Sequence, residues 1–218
     1  MIKQIILASG SPRRLELLQQ IGIQPIVVKS RIEEKITETD PALVVEELSW
    51  QKACDVAEHL EEYMIESSFS DPMAGLSETN IDLVPVFNPS QALVLGADTV
   101  VSCDGKILGK PHSHDEAFRM IKLLQGRSHQ VYTGVTLALP ESSERFTFHE
   151  ETVVHVVPMT DEEIRAYAES TEPMDKAGAY GIQGTFGKFI DRIEGDYYNV
   201  VGLPLARVYA EIKKFVLR

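Results

Sequence analysis

The stretch Ser9-Gly10-Ser11-Pro12-Arg13-Arg14 gathers two hydroxyls, a glycine and two guanidinium groups between an apolar run and a helical pattern. Unpaired backbone N–H groups at a helix start attract anions. Gly10 admits close backbone approach, and Arg supplies fixed positive charge. Two arginines in a first turn oppose the helix dipole, which makes sense where a phosphate sits. The same residues can also form an ordinary helix cap with two solvated arginines. The segment is not a P-loop, since the chain has no GxxxxGK followed by Ser or Thr, and no GxGxxG.

Asp98 is the second candidate. It lies in Gly96-Ala97-Asp98-Thr99, directly after the apolar residues 92–95. A carboxylate at the end of a buried strand is where α/β proteins place metal ligands or general bases. The plainer alternative is an Asp that caps a turn. Lys52, Lys110 and Lys176 are scattered cations. Lys52 follows Leu48 by four residues and precedes Val56 by four, in line with apolar neighbours on a helix. Taken singly, each reads as a lysine with its stem packed and its head in water.

From Asp175 to Gly187 a glycine recurs at every third position: 178, 181, 184 and 187. Lacking side chains on one side, this backbone can approach either a ligand or another strand. Gln183 stands within it, with an amide that both donates and accepts. The run 196–205 reads as a structural strand or turn leading to Pro204, with Asn199 as polar support.

The positioning elements follow from hydrophobic period and breakers. Residues 2–8 read as a buried strand, then a helix with Leu15, Leu17, Leu18 and Ile21 at helical spacing. A short strand at 26–29 and a long helix from Asp40-Pro41 through Leu60 come next. Two strands, 92–95 and 100–102, are followed by an Asp104-Gly105 hairpin turn. Ser113 with Glu116, and Thr160 with Glu163, have the spacing of capping boxes that open helices. Long strands at 131–139 and 147–157, a strand near 189–193 and a helix at 205–216 complete the pattern. These elements predict an α/β fold: a mixed twisted sheet flanked by helices, in one domain spanning 1–218. Residues 65–89, rich in Ser, Asp, Asn and Pro, lack periodicity and read as a surface-loop insertion.

Composition narrows the function class. There are 21 Lys and Arg against 33 Asp and Glu, a net charge of −12. That argues against non-specific binding to nucleic acid or anionic membrane, while leaving room for a small anion at a local basic cluster. Cys54 and Cys103 form no metal-binding or CxxC pattern, and no window approaches a membrane span. A reducing, soluble compartment, the cytoplasm, is the expectation.

Taken in order, these segments resemble the Maf family of nucleotide pyrophosphatases across almost the whole chain. The likeness is carried by LASGSPRRLELL (residues 7–18), Glu33-Glu34, Gln51-Lys52-Ala53 and GADTVV (96–101). It continues in Gly109-Lys110-Pro111, EPMDKAGAYGIQG (172–184) and NVVGLPL (199–205). The resemblance implies a long cleft related to the inosine triphosphate pyrophosphatase fold. It also implies hydrolysis between the α- and β-phosphates with Mg²⁺, or Mn²⁺ in its place. Asp98 matches the family's catalytic carboxylate, as base, metal ligand or both. Glu34 matches an acidic residue that helps hold the metal, and Lys52 and Lys110 match phosphate-facing lysines. Arg13 and Arg14 match the SxSPRR pair, with Ser9, Gly10 and Ser11 as the phosphate cradle and Lys176 joining the substrate-binding set. Thr99 and Gln183 match positions tied to substrate choice, and GADT with GIQG points to the dTTP/UTP branch. Family members are often dimers, so a homodimer is expected. The alternative is a nucleotide-binding regulator of cell division without relevant catalysis.

Overall fold

The computed structural model describes residues 2–70, 88–140 and 142–216. The apolar β1 (Gln4–Ala8) leads through the Ser-Gly-Ser turn into α1 (Pro12–Gln20), which begins on the proline suited to a first turn. β2 (Ile26–Val27) precedes α2 (Pro41–Glu58), where the Asp40 side chain accepts from Ala42 N. After a break at His59 comes α3 (Leu60–Ser70). β3 (Ala92–Cys103) and β4 (Lys106–Leu108) flank Asp104 and Gly105, both at positive φ, as a tight hairpin requires. Then follow α4 (His114–Leu124), β5 (Ser128–Ala138), β6 (Arg145–Val156) and α5 (Asp161–Ala168). A run of short 3₁₀ turns leads to β7 (Ile190–Glu194), α6 (Tyr197–Val201) and α7 (Leu205–Val216).

The described residues form one seven-stranded sheet, ordered β2-β1-β3-β5-β6-β7, with β4 also beside β3. β1 runs parallel to β2 and β3, and the other pairings are antiparallel. The sheet is mixed and flanked by helices, as the sequence predicts. On one face Leu93, Leu95, Val135 and Leu137 bury against Leu17, Leu18, Val208 and Ile212 of α1 and α7. On the other, Ile6 and Val94 bury against Ala53 and Val56 of α2. α4 and α5 cover the far half through Ile121, Leu124 and Ile164. No helix among the described residues is long and apolar enough to cross a membrane.

Four expectations need correction. Residues 92–95 and 100–102 are not separate strands but parts of one twelve-residue strand, β3, running through Gly96-Ala97-Asp98-Thr99. Small and polar residues weaken strand propensity there, yet β5 pairs with the strand without interruption from Val94 to Ser102. The loop insertion begins later than residue 65, because α3 continues through Ser70, and residues 71–87 of that insertion lie outside those described. Ser113 accepts from Glu116 N, but the Glu116 carboxylate accepts from His112 N, so only half of that capping box forms. Residues 196–205 contain the short helix α6 where a strand or turn is expected. Thr160 and Glu163 do complete their box.

Candidate active site

One edge of β3 has two partners in succession. β1 pairs with residues 92–96 and β4 with 101–103, leaving 97–100 without a strand neighbour on that side among the described residues. β1 arrives with Ala8 opposite Gly96, so Ser9 and the turn after it leave the sheet at the gap. β4 approaches from the other direction with Leu108 opposite Val101, delivering Gly109 and Lys110 to the same place. Asp98 sits within this split. A crevice where neighbouring strands part is the usual ligand site of an open α/β sheet.

Two glycines let α2 reach the site. Gly96 and Asp98 share a face of β3, and Gly134 of β5 lies directly opposite Asp98. A Cβ at Gly96 would stand 2.5 Å from Ser49 O, and one at Gly134 would stand 2.1 Å from Val45 O. The α2 backbone therefore rests on the sheet itself, and Ser49 Oγ meets Thr136 Oγ1 at 3.0 Å. One turn further on, Lys52 places its Nζ 2.5 Å from Asp98 Oδ1 and 3.1 Å from Glu34 Oε1. The Lys52 and Asp98 side chains are about 15% exposed and Glu34 is 46% exposed, so the trio runs from cleft floor to rim.

The two arginines part company. Arg14 is buried and spends its donors inward. Its Nε donates to Gly202 O, Nη1 donates to Ser9 Oγ and Ala97 O, and Nη2 donates to Thr99 Oγ1, all within 3.0 Å. Burial lowers its basicity from the ordinary value, while the charge of Asp98 acts the other way. Thr99 Oγ1 also meets Thr133 Oγ1, which contacts Asn199 O, so the Thr99 hydroxyl is held in a buried polar chain. Arg13 faces outward and donates to Asp175 Oδ2 at 2.9 Å. Ser11, at the N-cap of α1, makes no side-chain capping bond.

Opposite this turn, residues 177–184 close the cleft. Gly178 N donates to Gly109 O, and a Cβ on Gly178 would meet Val101 at 2.8 Å. The recurrent glycines thus serve close approach to the protein's own strand and side chains. Gly181 lies against the Lys176 stem and Gly184 against the Glu172 carboxylate. The cleft is about 590 Å³ and is lined by Ser9, Gly10, Arg13, Glu34, Lys52 and Asp98 on one side. Lys110, Lys176 and Gln183 line the other.

A family model for Maf-like proteins matches residues 4–215. The chain belongs to the Maf-like family. Among curated relatives, this Maf-like chain is 47% identical to a dTTP/UTP pyrophosphatase of Agathobacter rectalis, over 98% of both chains. It is 46% identical to one of Lachnoclostridium phytofermentans, over 97% of this chain and 95% of that one. One of Bacillus cereus is 44% identical, over 98% of this chain and 96% of the other.

Every residue that the sequence singled out as a site residue lines the cleft of the Maf-like fold: Ser9, Gly10, Ser11, Arg13, Arg14, Glu34, Lys52, Asp98, Thr99, Lys110, Lys176 and Gln183. Their settings differ. Arg14 and Thr99 are tied into the protein interior, and Lys176 Nζ is held by Asp175 Oδ1 at 2.6 Å and Glu172 O at 2.7 Å. Gln183 is exposed and makes no side-chain hydrogen bond among the described residues. Sequence reasoning missed Lys29, which lines the cleft and lies so close to Gly10 that a Cβ there would stand 3.0 Å from the lysine Cε. A single Lys at the end of a short strand carries no signal. It also missed Asp175 as the partner that orients Arg13.

Proposed function

We propose that the protein hydrolyses dTTP and UTP to the nucleoside monophosphate and pyrophosphate. The observation that carries this reading is the Asp98–Lys52–Glu34 trio, running from floor to rim of a cleft edged by Arg13, Lys29 and Lys110. It is supported by the curated relatives, named dTTP/UTP pyrophosphatases and similar over nearly their full length. The cleft cations supply the local positive field that a triphosphate needs in a protein of net charge −12.

The reaction needs positioning and charge neutralisation more than covalent chemistry. Asp98 accepts a proton from the water that attacks the α-phosphorus, and pyrophosphate leaves on the opposite side. Lys52 holds the Asp98 carboxylate in place and adds charge beside the developing oxyanion. Arg13, free to swing from the exposed Asp175, and Lys110 grip the departing phosphates. The turn at Ser9, Gly10 and Ser11 cradles phosphate oxygens, with the Gly10 backbone bare of a side chain and the Ser11 N–H donating to Ser9 Oγ in the unliganded turn.

A divalent cation suits this donor set. Lys52 engages one oxygen of each carboxylate, Asp98 Oδ1 and Glu34 Oε1, which leaves Asp98 Oδ2 and Glu34 Oε2 for a cation beside it. Among the described residues no group of three His, Cys, Asp or Glu side chains forms a complete metal cage. Mg²⁺ is commonly held by one or two carboxylates, with waters and substrate phosphates filling its other positions. Asp98 and Glu34 would hold it, Mn²⁺ being the substitute, and when bound it supplies a hard positive charge to phosphate oxygens.

Nucleobase choice falls to Gln183, whose unengaged amide matches part of the acceptor–donor–acceptor edge of uracil and thymine. Buried free Cys54 and Cys103 suit a reducing cytoplasm. A homodimer belongs to the same proposal, with Leu43 and Trp50 exposed seven residues apart on α2 as apolar contact; sedimentation tests it.

The deciding experiment measures pyrophosphate release across a panel of nucleoside triphosphates, with Mg²⁺, with Mn²⁺ and with chelator. Release from dTTP and UTP in preference to dCTP and purine nucleotides, abolished by chelator, is expected. Binding of dTTP without release would favour a nucleotide-binding regulator instead.

A further inference from the structure

Glu172 lies outside the cleft, yet it holds the segment that presents Gln183. Its Oε2 accepts from Thr185 N at 2.9 Å and from Thr185 Oγ1 at 2.7 Å, and its Oε1 accepts from Tyr167 Oη at 2.9 Å. Gly184 is pressed against the carboxylate so closely that a Cβ would stand 2.1 Å from Oε1. The backbone carbonyl of Glu172 accepts from Lys176 Nζ, and the Lys176 stem in turn lies under Gly181. Gly184 N donates to Gly181 O, which closes residues 181–184 into a turn. The turn is therefore clamped at both ends by one residue and the lysine it binds, with Ile182 and Gln183 at its crest. Tyr167 belongs to the core with Phe186, so the clamp is anchored in packed structure. Burial pushes the Glu172 carboxyl up, but the bonds from Thr185 and Tyr167 outweigh it and hold it below the ordinary range.

We propose that Glu172 is a positioning residue for nucleobase selection: its carboxylate fixes the 181–184 turn and with it the place of the Gln183 amide. This rests on the reading of the cleft as a pyrimidine nucleotide site. It assigns Lys176 a share in the same clamp, since its ammonium is engaged by Glu172 and Asp175 rather than directed at substrate. A selective amide is useful only if its turn does not wander. A carboxylate accepting several hydrogen bonds fixes a loop better than packing of glycines can.

The test compares wild type with E172Q, which keeps the volume but exchanges one acceptor oxygen for a donor. T185A, on the exposed side, removes one donor and leaves the core intact. Steady-state hydrolysis of dTTP and dCTP is measured, together with competitive inhibition by inorganic pyrophosphate, which carries no base. E172Q is expected to lower the dTTP over dCTP ratio of kcat/KM about tenfold, through KM for dTTP, with T185A giving a smaller shift in the same direction. Pyrophosphate inhibition is expected to stay within about twofold of wild type in both, because the phosphate end of the cleft is untouched. An unchanged base ratio in T185A and in folded E172Q overturns the proposal while leaving the pyrophosphatase reading in place. Parallel loss of pyrophosphate inhibition also overturns it, since it would mark general damage to the cleft. A wild-type protein with no base preference removes both readings together.

Discussion

Adjacent residues on a helix point about 100° apart, and Arg13 and Arg14 show the consequence. Arg13 stands at the rim of the cleft, paired with an exposed Asp175, while Arg14 makes four hydrogen bonds in the interior. R14K keeps the charge but not the planar fork, leaving Gly202 O or Ala97 O without a donor. It should cost about 2–4 kcal/mol of stability, read by chemical denaturation. R13A should leave stability within about 0.5 kcal/mol, since an exposed pair contributes little, and raise KM for dTTP. Asp98, the proposed base, belongs to the opposite class. D98N preserves the shape and should lower kcat about 10²–10⁴-fold with an unchanged melting temperature; near-normal turnover would refute its role as base. The two arginines were legible in the sequence as a pair with an anion in view. Which of them turns inward was not, because three of the four acceptors for Arg14 come from residues 97, 99 and 202, brought near only by the tertiary fold.

At the scale of elements, the site depends on how closely α2 lies on the sheet. Glycine at 96 and 134 removes the Cβ atoms that would hold the helix away, and this lets Lys52 reach Asp98. G134A therefore has to displace the Val45 carbonyl, shifting α2 or bending β5. A loss of about 1–3 kcal/mol is expected, together with a fall in kcat as Lys52 is drawn off Asp98. A control substitution at Gly22, where a Cβ would meet nothing within 4 Å, carries only the strain of its positive φ and should leave kcat unchanged. The helices were legible because their apolar period and Asp-Pro or Thr-x-x-Glu starts are local. The continuity of β3 was not. Gly, Ala, Asp and Thr break the apolar run, and the strand persists through pairing with β5, more than thirty positions away in sequence. The split edge that makes the cleft is likewise a product of two partners, β1 and β4, ending on one strand. Glycine spacing in 178–187 signalled close approach correctly, but only the fold identifies the neighbours as Val101, Lys176 and Glu172.

For the whole molecule, the response to acid follows from a buried histidine that does not itself line the cleft. His129 on β5 is 1% exposed, with Nε2 2.7 Å from Tyr180 Oη and Nδ1 without a hydrogen-bond partner among the described residues. Burial, with a smaller contribution from the charge of His155, lowers its pKa to about 4. The folded protein keeps the ring neutral in a range where the unfolded chain, with pKa near 6.5, binds a proton. Stability from this group is thus complete above about pH 6.5 and is lost as pH falls toward about 4, by roughly 3 kcal/mol in all. The carboxylates act in a lower window. Burial raises Asp175, but hydrogen bonds from Lys176 and Arg13 outweigh it and hold its pKa at about 2, so its contribution is lost only below about pH 4. Urea unfolding at pH 7, 5.5 and 4.5 should therefore show a decline already above pH 4.5. H129Q, which stays neutral and has an amide that can hydrogen-bond Tyr180, should start from lower stability at pH 7 and follow a flatter course down to pH 4.5. Equal slopes for the two proteins would move the origin of acid sensitivity away from His129. If the slopes differ as expected, the buried His129–Tyr180 pair, and not the carboxylates of the cleft, sets the loss of stability between pH 7 and 4.5.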